Sequence, residues 1–207
     1  MMSVQSGLDR RDFLYVATTA FAAVGTGFAA WPFLAQMSPS ADVIAAAAPV
    51  AVDLSPIEPG QQITILWRGH PVFILKRTDA ALATLKSPAL LARLRDPDSS
   101  SRQQPPYARN WSRSVKPQFL VLIGVCTHLG CIPMFMPQRG SLNADWPGGY
   151  FCPCHGSKYD LAGRVYKNVP APLNLPVPPY RFRNEATLIV GENPAGQEFL
   201  PSDIEQL

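Results

Sequence analysis

The sequence predicts a mainly β head tethered to a single N-terminal transmembrane helix. Short β-branched or aromatic runs bounded by Gly, Pro or Asn recur after residue 55, as in β structure. Proline is abundant, with 22 residues, and concentrates after Ser38, where it disfavours long helices. One long run near the N-terminus, 13–41, contains no charged residue and is rich in Ala, Phe and Val.

Composition limits the class of protein. The chain has 207 residues, enough for one domain-sized core and a separate segment of a few tens of residues. Net charge is +3, and the basic residues between Arg68 and Arg183 form no block, so nucleic acid is not an expected partner. Only four cysteines occur, in two tight groups between Cys126 and Cys154, which indicates a site and not a general disulfide framework.

The N-terminal part of the chain predicts a membrane anchor. The uncharged run exceeds the roughly 20 residues that cross a bilayer core of about 30 Å, and we place the transmembrane helix at 13–37. It follows Leu8-Asp9-Arg10-Arg11-Asp12-Phe13-Leu14, which resembles a twin-arginine export signal. The positive-inside rule keeps 1–12 in the cytoplasm and the rest of the chain outside. A cleaved signal peptide is the alternative, but its apolar core spans only about 7 to 15 residues.

The remaining chain divides into a linker and the head. Residues 38–55 are rich in Ala and contain Pro39 and Pro49, which predicts a flexible hinge linker, although a passive spacer fits the composition equally. In the head, 56–207, leucines at helical spacing predict one short helical insertion over 79–95, interrupted near Pro88. The expected strands are 62–67, 71–76, 119–125, 149–151, 180–184 and 187–190.

Two short Cys–His motifs each follow a predicted strand. They are Cys126-Thr127-His128-Leu129-Gly130-Cys131 and Cys152-Pro153-Cys154-His155-Gly156-Ser157. Cys-x-His followed by Cys-x-x-His supplies two thiolates and two imidazoles from two loops, which suits zinc or an iron–sulfur centre. Ligand type alone leaves both metals open, and each motif has a cysteine to spare.

Together the motifs closely resemble those of the bacterial Rieske iron–sulfur subunits of quinol-oxidising cytochrome bc complexes. The resemblance extends to Tyr159, the segment 169–175 and Tyr180-Arg181-Phe182, and to the export signal, anchor and hinge, so it covers nearly the whole chain. It implies a Rieske-type antiparallel β-sandwich head with a small cluster-binding subdomain at about 124–175. Two features depart from the family: Val169 opens the proline loop where many relatives have glycine, and 132–147 is longer than in the mitochondrial relatives.

The resemblance also assigns roles to individual residues. It implies one Rieske 2Fe–2S cluster held by two cysteines and two histidines, a disulfide between the spare cysteines, and hydrogen bonds to the sulfurs from a serine and a tyrosine. The expected ligands are Cys126, His128, Cys152 and His155, and the expected disulfide joins Cys131 and Cys154. The expected donors are Ser157 and Tyr159, for which a capping serine and a packed tyrosine are the alternative. Leu129 and Pro170 are expected to exclude water, although Leu129 packing its own loop is equally compatible. Of the two histidines, His155 is favoured as the one that accepts a hydrogen bond from quinol.

The function implied by the family is quinol oxidation. The cluster accepts one electron, with a histidine-coupled proton, from ubiquinol at cytochrome b and passes the electron to the haem of a cytochrome c subunit, which contributes to proton translocation. The resemblance places the chain in the bacterial inner membrane, where its helix contacts the lipid bilayer and its head lies in the periplasm. It also implies a dimeric complex that includes these two cytochromes. A cluster assembled where thiols are reduced, beside a disulfide that persists only in an oxidising compartment, requires export of a folded head, as the twin-arginine route permits.

Three other classes share parts of the pattern. A soluble carrier, such as the ferredoxin part of an oxygenase, lacks the two spare cysteines and the anchor. The small Rieske subunit of a periplasmic molybdenum oxidase shares the disulfide and the export signal, but the retained anchor and the proline-loop segment count against it. A structural zinc module, which has no redox role, needs no bridging pair of cysteines.

Overall fold

The computed structural model describes residues 9–206. The chain divides after Ala45 into an N-terminal helical unit and a β-rich head. The helices and strands, in chain order, are α1 (Arg10–Ala35), α2 (Ala41–Ala46), β1 (Val50–Asp53), β2 (Gln62–Trp67), β3 (His70–Lys76), α3 (Asp79–Leu85), α4 (Pro88–Leu91), β4 (Phe119–Ile123), β5 (Met134–Met136), β6 (Gly149–Phe151), β7 (Lys158–Tyr159), β8 (Tyr180–Phe182) and β9 (Thr187–Val190). Short 3-10 turns form at Pro106–Ala108 and Pro201–Asp203.

The helix α1 has the length and composition of a membrane span. Its 26 residues extend about 39 Å, which exceeds the thickness of a bilayer core. Charged residues occupy only its first turn, at Arg10, Arg11 and Asp12, and none of its side chains is buried within the protein. The helix begins three residues before the predicted span 13–37 and ends two residues before its end. The predicted cytoplasmic residues 1–8 lie outside the described part of the chain.

Over the described residues of the head, the strands form three antiparallel sheets of three strands each. Their strand orders are β1-β9-β8, β2-β3-β4 and β5-β6-β7. The predicted antiparallel β head is therefore confirmed. All six predicted strands occur, with bounds that move by one or two residues where they differ. The strands β1, β5 and β7 were not predicted, because β1 lies within the predicted linker, and β5 and β7 contain no β-branched residue and only one aromatic residue each.

The predicted linker 38–55 is too long at its C-terminal end. Val50–Asp53 forms β1, in which Val50 pairs with Val190 and Asp53 pairs with Thr187 of β9. Ala41–Ala46 is helical, so only short irregular segments remain between α1 and the head. The alanines and prolines dominate the local composition, whereas the strand forms because its partner comes from the other end of the chain.

The predicted helical insertion over 79–95 forms two short helices, the second of which ends at Leu91. α3 begins after Thr78, whose Oγ1 accepts a hydrogen bond from the Ala81 N–H at 3.2 Å. It ends at Leu85, and α4 starts afresh at Pro88, which has no N–H to continue the first helix. The predicted interruption near Pro88 is confirmed.

An aromatic pair joins two of the sheets and so positions the loops that follow them. The ring of Phe73 on β3 stacks on Tyr150 of β6, with centroids 5.6 Å apart and planes at 5°. The Tyr150 hydroxyl donates to Oε1 of Gln62 on β2 at 2.9 Å. Both Cys–His motifs leave this region, one after β4 and one after β6, so the packing sets their separation.

Charged groups are buried beside these sheets. The guanidinium groups of Arg77, Arg113 and Arg164 are buried, and Asp160 is the only buried carboxylate within residues 9–206. Its Oδ2 accepts from Nε of Arg164 at 2.8 Å, and its Oδ1 accepts from the backbone N–H groups of Ala162 and Arg164 at 2.9 and 2.8 Å. Burial lowers the pKa of Arg77 to about 10 and that of Arg113 to about 9. Asp160 thus pairs directly with Arg164, whereas Arg77 donates to backbone carbonyls and to Oγ of Ser114.

Replacing Asp160 with Asn is expected to lower the free energy of unfolding by about 3–5 kcal/mol, because it leaves buried guanidinium groups without a carboxylate. Thermal unfolding of the full-length protein in detergent measures the loss. Glu185→Gln is the matched control, since Glu185 pairs with Lys116 at 3.1 Å on the surface, where 97% of its side chain is exposed. Equal melting temperatures for the two variants would contradict a structural role for the buried pair.

Candidate metal centre

The two Cys–His motifs form loops with the same backbone hydrogen bonds. In loop 1, 126–131, the N–H of the first residue, Cys126, donates to the carbonyl of the sixth, Cys131, at 2.8 Å. The N–H of the fifth residue, Gly130, donates to the Cys126 carbonyl at 2.9 Å. In loop 2, 152–157, the equivalent distances are 2.8 and 2.9 Å. The fifth residues, Gly130 and Gly156, have φ of 82° and 79°, which side chains disfavour. A glycine at the fifth position therefore closes each loop.

A disulfide joins the two loops. Cys131 and Cys154 are bonded, with their Cα atoms 6.6 Å apart, as predicted. One cysteine of each motif is used in this way, which leaves Cys126 and Cys152 as buried free thiols. The Sγ of Cys152 lies within 4.8 Å of both disulfide sulfurs, but sulfurs bonded to each other are not thiolate ligands. The disulfide thus fixes the loops beside the remaining donors.

The remaining donors fit a metal centre with mixed nitrogen and sulfur ligands. The rings of His128 and His155 lie with centroids 4.7 Å apart and planes at 89°. Cys126 and Cys152 are both buried. Nδ1 of His128 is buried and has no hydrogen-bond partner, which costs free energy unless that nitrogen binds another group. Two thiols and two imidazoles from paired loops are the donor set of a Rieske centre.

The protonation state of the free thiols depends on whether a metal ion is bound. Burial raises the pKa of the Cys152 thiol, and the neighbouring sulfur of Cys126 adds to the rise. The neutral thiol is therefore favoured when nothing is bound. Coordination to a metal ion deprotonates a thiol outright, because the charge of the ion stabilises the thiolate.

Tyr159 brings a hydroxyl to one of the candidate ligands. Its Oη lies 3.2 Å from Sγ of Cys126 and accepts a hydrogen bond from the Thr127 N–H at 3.3 Å. Close packing of β6 on β7 allows this position, since a Cβ at Gly149 would overlap the Tyr159 carbonyl oxygen. Burial strongly raises the pKa of Tyr159, so the phenol keeps its proton at physiological pH and can donate it to a sulfur.

Ser157 links loop 2 to the proline loop, defined here as residues 169–175. Ser157 is buried, and its Oγ accepts a hydrogen bond from the Ala171 N–H at 3.0 Å. Because this bond uses a lone pair of the hydroxyl, the hydroxyl hydrogen is free to donate elsewhere. The predicted role of Ser157, which is to donate a hydrogen bond to a sulfur of the cluster, needs this free hydrogen and stays a prediction.

The exposed end of the site carries an imidazole and two apolar residues. His155 is exposed, whereas His128 is half-buried. Leu129 is 71% exposed and therefore does not pack within its own loop. Pro170 is exposed on the proline loop. The exclusion of water by Leu129 and Pro170 stays a prediction.

The structure adds two features that the sequence did not indicate. Thr127 donates from Oγ1 to the Leu173 carbonyl at 2.7 Å, which ties loop 1 to the proline loop. The contact joins residues 46 positions apart, and no local pattern marks it. The long segment 132–147 contains β5, which pairs with β6, and the buried Trp146 donates from Nε1 to the Met136 carbonyl at 2.9 Å. This segment therefore extends the sheet from which loop 2 emerges.

Two family models match parts of the chain. Residues 103–179 match the "Rieske [2Fe-2S] domain", which includes both Cys–His motifs and the proline loop. Residues 1–40 match the "Ubiquitinol-cytochrome C reductase Fe-S subunit TAT signal", so the predicted twin-arginine signal is confirmed.

Known proteins match over most of the chain. It is 50% identical over 188 residues to the ubiquinol-cytochrome c reductase iron-sulfur subunit of Allochromatium vinosum, covering 89% of each chain. It is 47% identical over 182 residues to the subunit of that name from Bradyrhizobium diazoefficiens, covering 88% of this chain and 94% of the relative. A solved structure described as "Hyperthermophilic respiratory Complex III" aligns at 24% identity with 84% of this chain and 98% of its own, with a TM-score of 0.46. The chain therefore belongs to the family of Rieske iron–sulfur subunits of ubiquinol-cytochrome c reductase, and it carries a 2Fe–2S cluster.

Proposed function

We propose that this subunit takes one electron, together with a proton, from ubiquinol at cytochrome b and delivers the electron to the haem of a cytochrome c subunit. The observation that carries the proposal is the position of His155. Its exposed imidazole lies against that of His128, on a loop whose free thiol is buried. A molecule outside the head can thus reach an imidazole of the candidate ligand set directly.

The proposed ligands are Cys126 and Cys152 through sulfur, and His128 and His155 through nitrogen. The unpartnered Nδ1 of His128 supports ligation through that atom, which leaves Nε2 as its outer nitrogen. With two neutral imidazoles in place of two thiolates, the bound cluster supplies a one-electron acceptor with a potential of roughly −150 to +300 mV.

The surrounding residues have three roles in this proposal. His155 accepts a hydrogen bond from the quinol hydroxyl and holds the released proton on its outer ring nitrogen. Tyr159 and Ser157 donate hydrogen bonds towards sulfur, which stabilises the more negative, reduced state. Leu129 and Pro170 exclude water from the contact with quinol.

The location of the subunit follows from charge and redox chemistry. Arg10 and Arg11 keep the start of α1 at the cytoplasmic face of the inner membrane. The Cys131–Cys154 disulfide persists only in an oxidising compartment, which supports a periplasmic head. The segment 36–49, between α1 and β1, is the proposed hinge. On this hinge the head would move between the quinol site at cytochrome b and the haem of the cytochrome c subunit. By family resemblance the complex is a dimer that includes both cytochromes.

Redox titration of the full-length protein in detergent, followed by spin resonance of the reduced iron pair, tests this function. We expect a midpoint potential that falls as pH rises through neutrality, towards about 59 mV per pH unit for one proton per electron. The sign follows because reduction raises the proton affinity of a ligand imidazole, so the oxidised protein loses its proton first. His70→Gln, at the start of β3, should leave this dependence unchanged. Absence of a reducible iron pair, or a midpoint independent of pH, would contradict the proposal.

Tyr159→Phe is expected to lower the midpoint potential while the cluster is retained, because it removes the hydroxyl that lies 3.2 Å from Sγ of Cys126. Tyr166→Phe is the matched control. The Tyr166 hydroxyl is also buried but has no hydrogen-bond partner, so its loss should leave the midpoint unchanged. The same titration measures both variants, and equal midpoints for the two would rule out a tuning role for Tyr159.

A further inference from the structure

The proline loop begins with a segment that its own backbone cannot close. A turn across Val169-Pro170-Ala171-Pro172 would ordinarily be closed by a hydrogen bond from the fourth N–H to the first carbonyl. Pro172 has no N–H, and neither has Pro170, so that donor is missing. The Ala171 N–H is already bound to Oγ of Ser157. The turn therefore offers no backbone N–H of its own to the Val169 carbonyl.

Arg95 supplies that donor. Its Nη2 donates to the Val169 carbonyl at 3.1 Å, and its Nη1 donates to the Pro172 carbonyl at 3.4 Å. The backbone of Arg95 is itself fixed, because its N–H donates to the Val165 carbonyl at 2.9 Å. A guanidinium presents its donors in a rigid planar fork, so one side chain holds the two carbonyls at a set spacing.

The two halves of the proline loop are held by different residues. In the C-terminal half, the Leu173 carbonyl accepts from Thr127, and the Asn174 side chain accepts from the Val165 N–H at 2.8 Å. In the N-terminal half, Arg95 provides the only side-chain donor to the carbonyls of 169–172 among the described residues. Ala171 lies between the two carbonyls that the exposed Arg95 side chain contacts.

We propose that Arg95 is a positioning residue that tunes the cluster through Ser157. By holding the carbonyls on either side of Ala171, it keeps the Ala171 N–H on Oγ of Ser157. That bond orients the Ser157 hydroxyl so that its hydrogen is directed to the cluster sulfur, which raises the midpoint potential. The inference rests on the proposed ligation and on the proposed role of Ser157.

An effect of Arg95 on the midpoint potential has a second possible cause. Its positive charge would favour the reduced cluster, which is more negative, without any contact. The two explanations differ in their dependence on Ser157. A charge acts whether or not the hydroxyl is present, whereas a positioning residue has nothing to act on once the hydroxyl is removed. A double-mutant cycle therefore separates them.

The experiment measures midpoint potentials of the full-length protein in detergent for the wild type, Arg95→Ala, Ser157→Ala and the double variant. We expect Arg95→Ala to lower the midpoint by less than Ser157→Ala does, and to cause no further fall in the Ser157→Ala background. Hydrogen exchange of 169–175 in the oxidised protein should be faster in Arg95→Ala than in the wild type. If Arg95→Ala does not retain the cluster, Arg95→Gln takes its place, with the same outcomes expected.

Arg93→Ala is the matched control for charge. It removes a cation two positions away whose guanidinium donates to the Asp145 carbonyl and not to the proline loop, so the midpoint should stay unchanged. The inference would be overturned if Arg95→Ala lowered the midpoint potential equally in the wild type and in Ser157→Ala, or lowered it in neither. A wild type without a reducible iron pair would instead defeat the proposed function, so the two failures are distinguishable.

Discussion

The site depends on one constraint: two short loops from different strands must hold two sulfur and two nitrogen donors at the same place. The Cys131–Cys154 disulfide provides this constraint by joining the loops directly. It also removes the two spare cysteines from the set of possible ligands. The glycines that close each loop and the aromatic contact between β3 and β6 then determine how the loops emerge from the sheets.

Around these donors the protein places hydrogen-bonding groups whose own requirements are met by other residues. The Thr127 N–H donates to Oη of Tyr159, and the Ala171 N–H donates to Oγ of Ser157. Each hydroxyl therefore keeps its hydrogen for another acceptor, and the acceptors within reach of Tyr159 are Sγ of Cys126 and Oγ1 of Thr127. The proline loop matters in the same way, because its backbone supplies one of these donors while Arg95 and Thr127 hold it in place.

Local features were predictable from sequence, and features that join distant parts of the chain were not. The apolar run gave α1 to within three residues, and the spacing of the Cys–His motifs gave the loops and their candidate ligands. β1 was missed because it forms only by pairing with β9, and its absence made the predicted linker too long. The contacts of Arg95 with Val169 and Pro172 join positions 74 and 77 apart, and no periodicity or motif records them.

The most direct test of mixed nitrogen and sulfur ligation is pulsed spin resonance of the reduced full-length protein, with nitrogen-15 incorporated only at its three histidines. We expect two histidine nitrogens strongly coupled to the iron pair in the wild type and in His70→Gln, and the loss of one coupling in His155→Cys. An iron signal without histidine coupling, or a coupling that disappears in His70→Gln, would contradict ligation by His128 and His155.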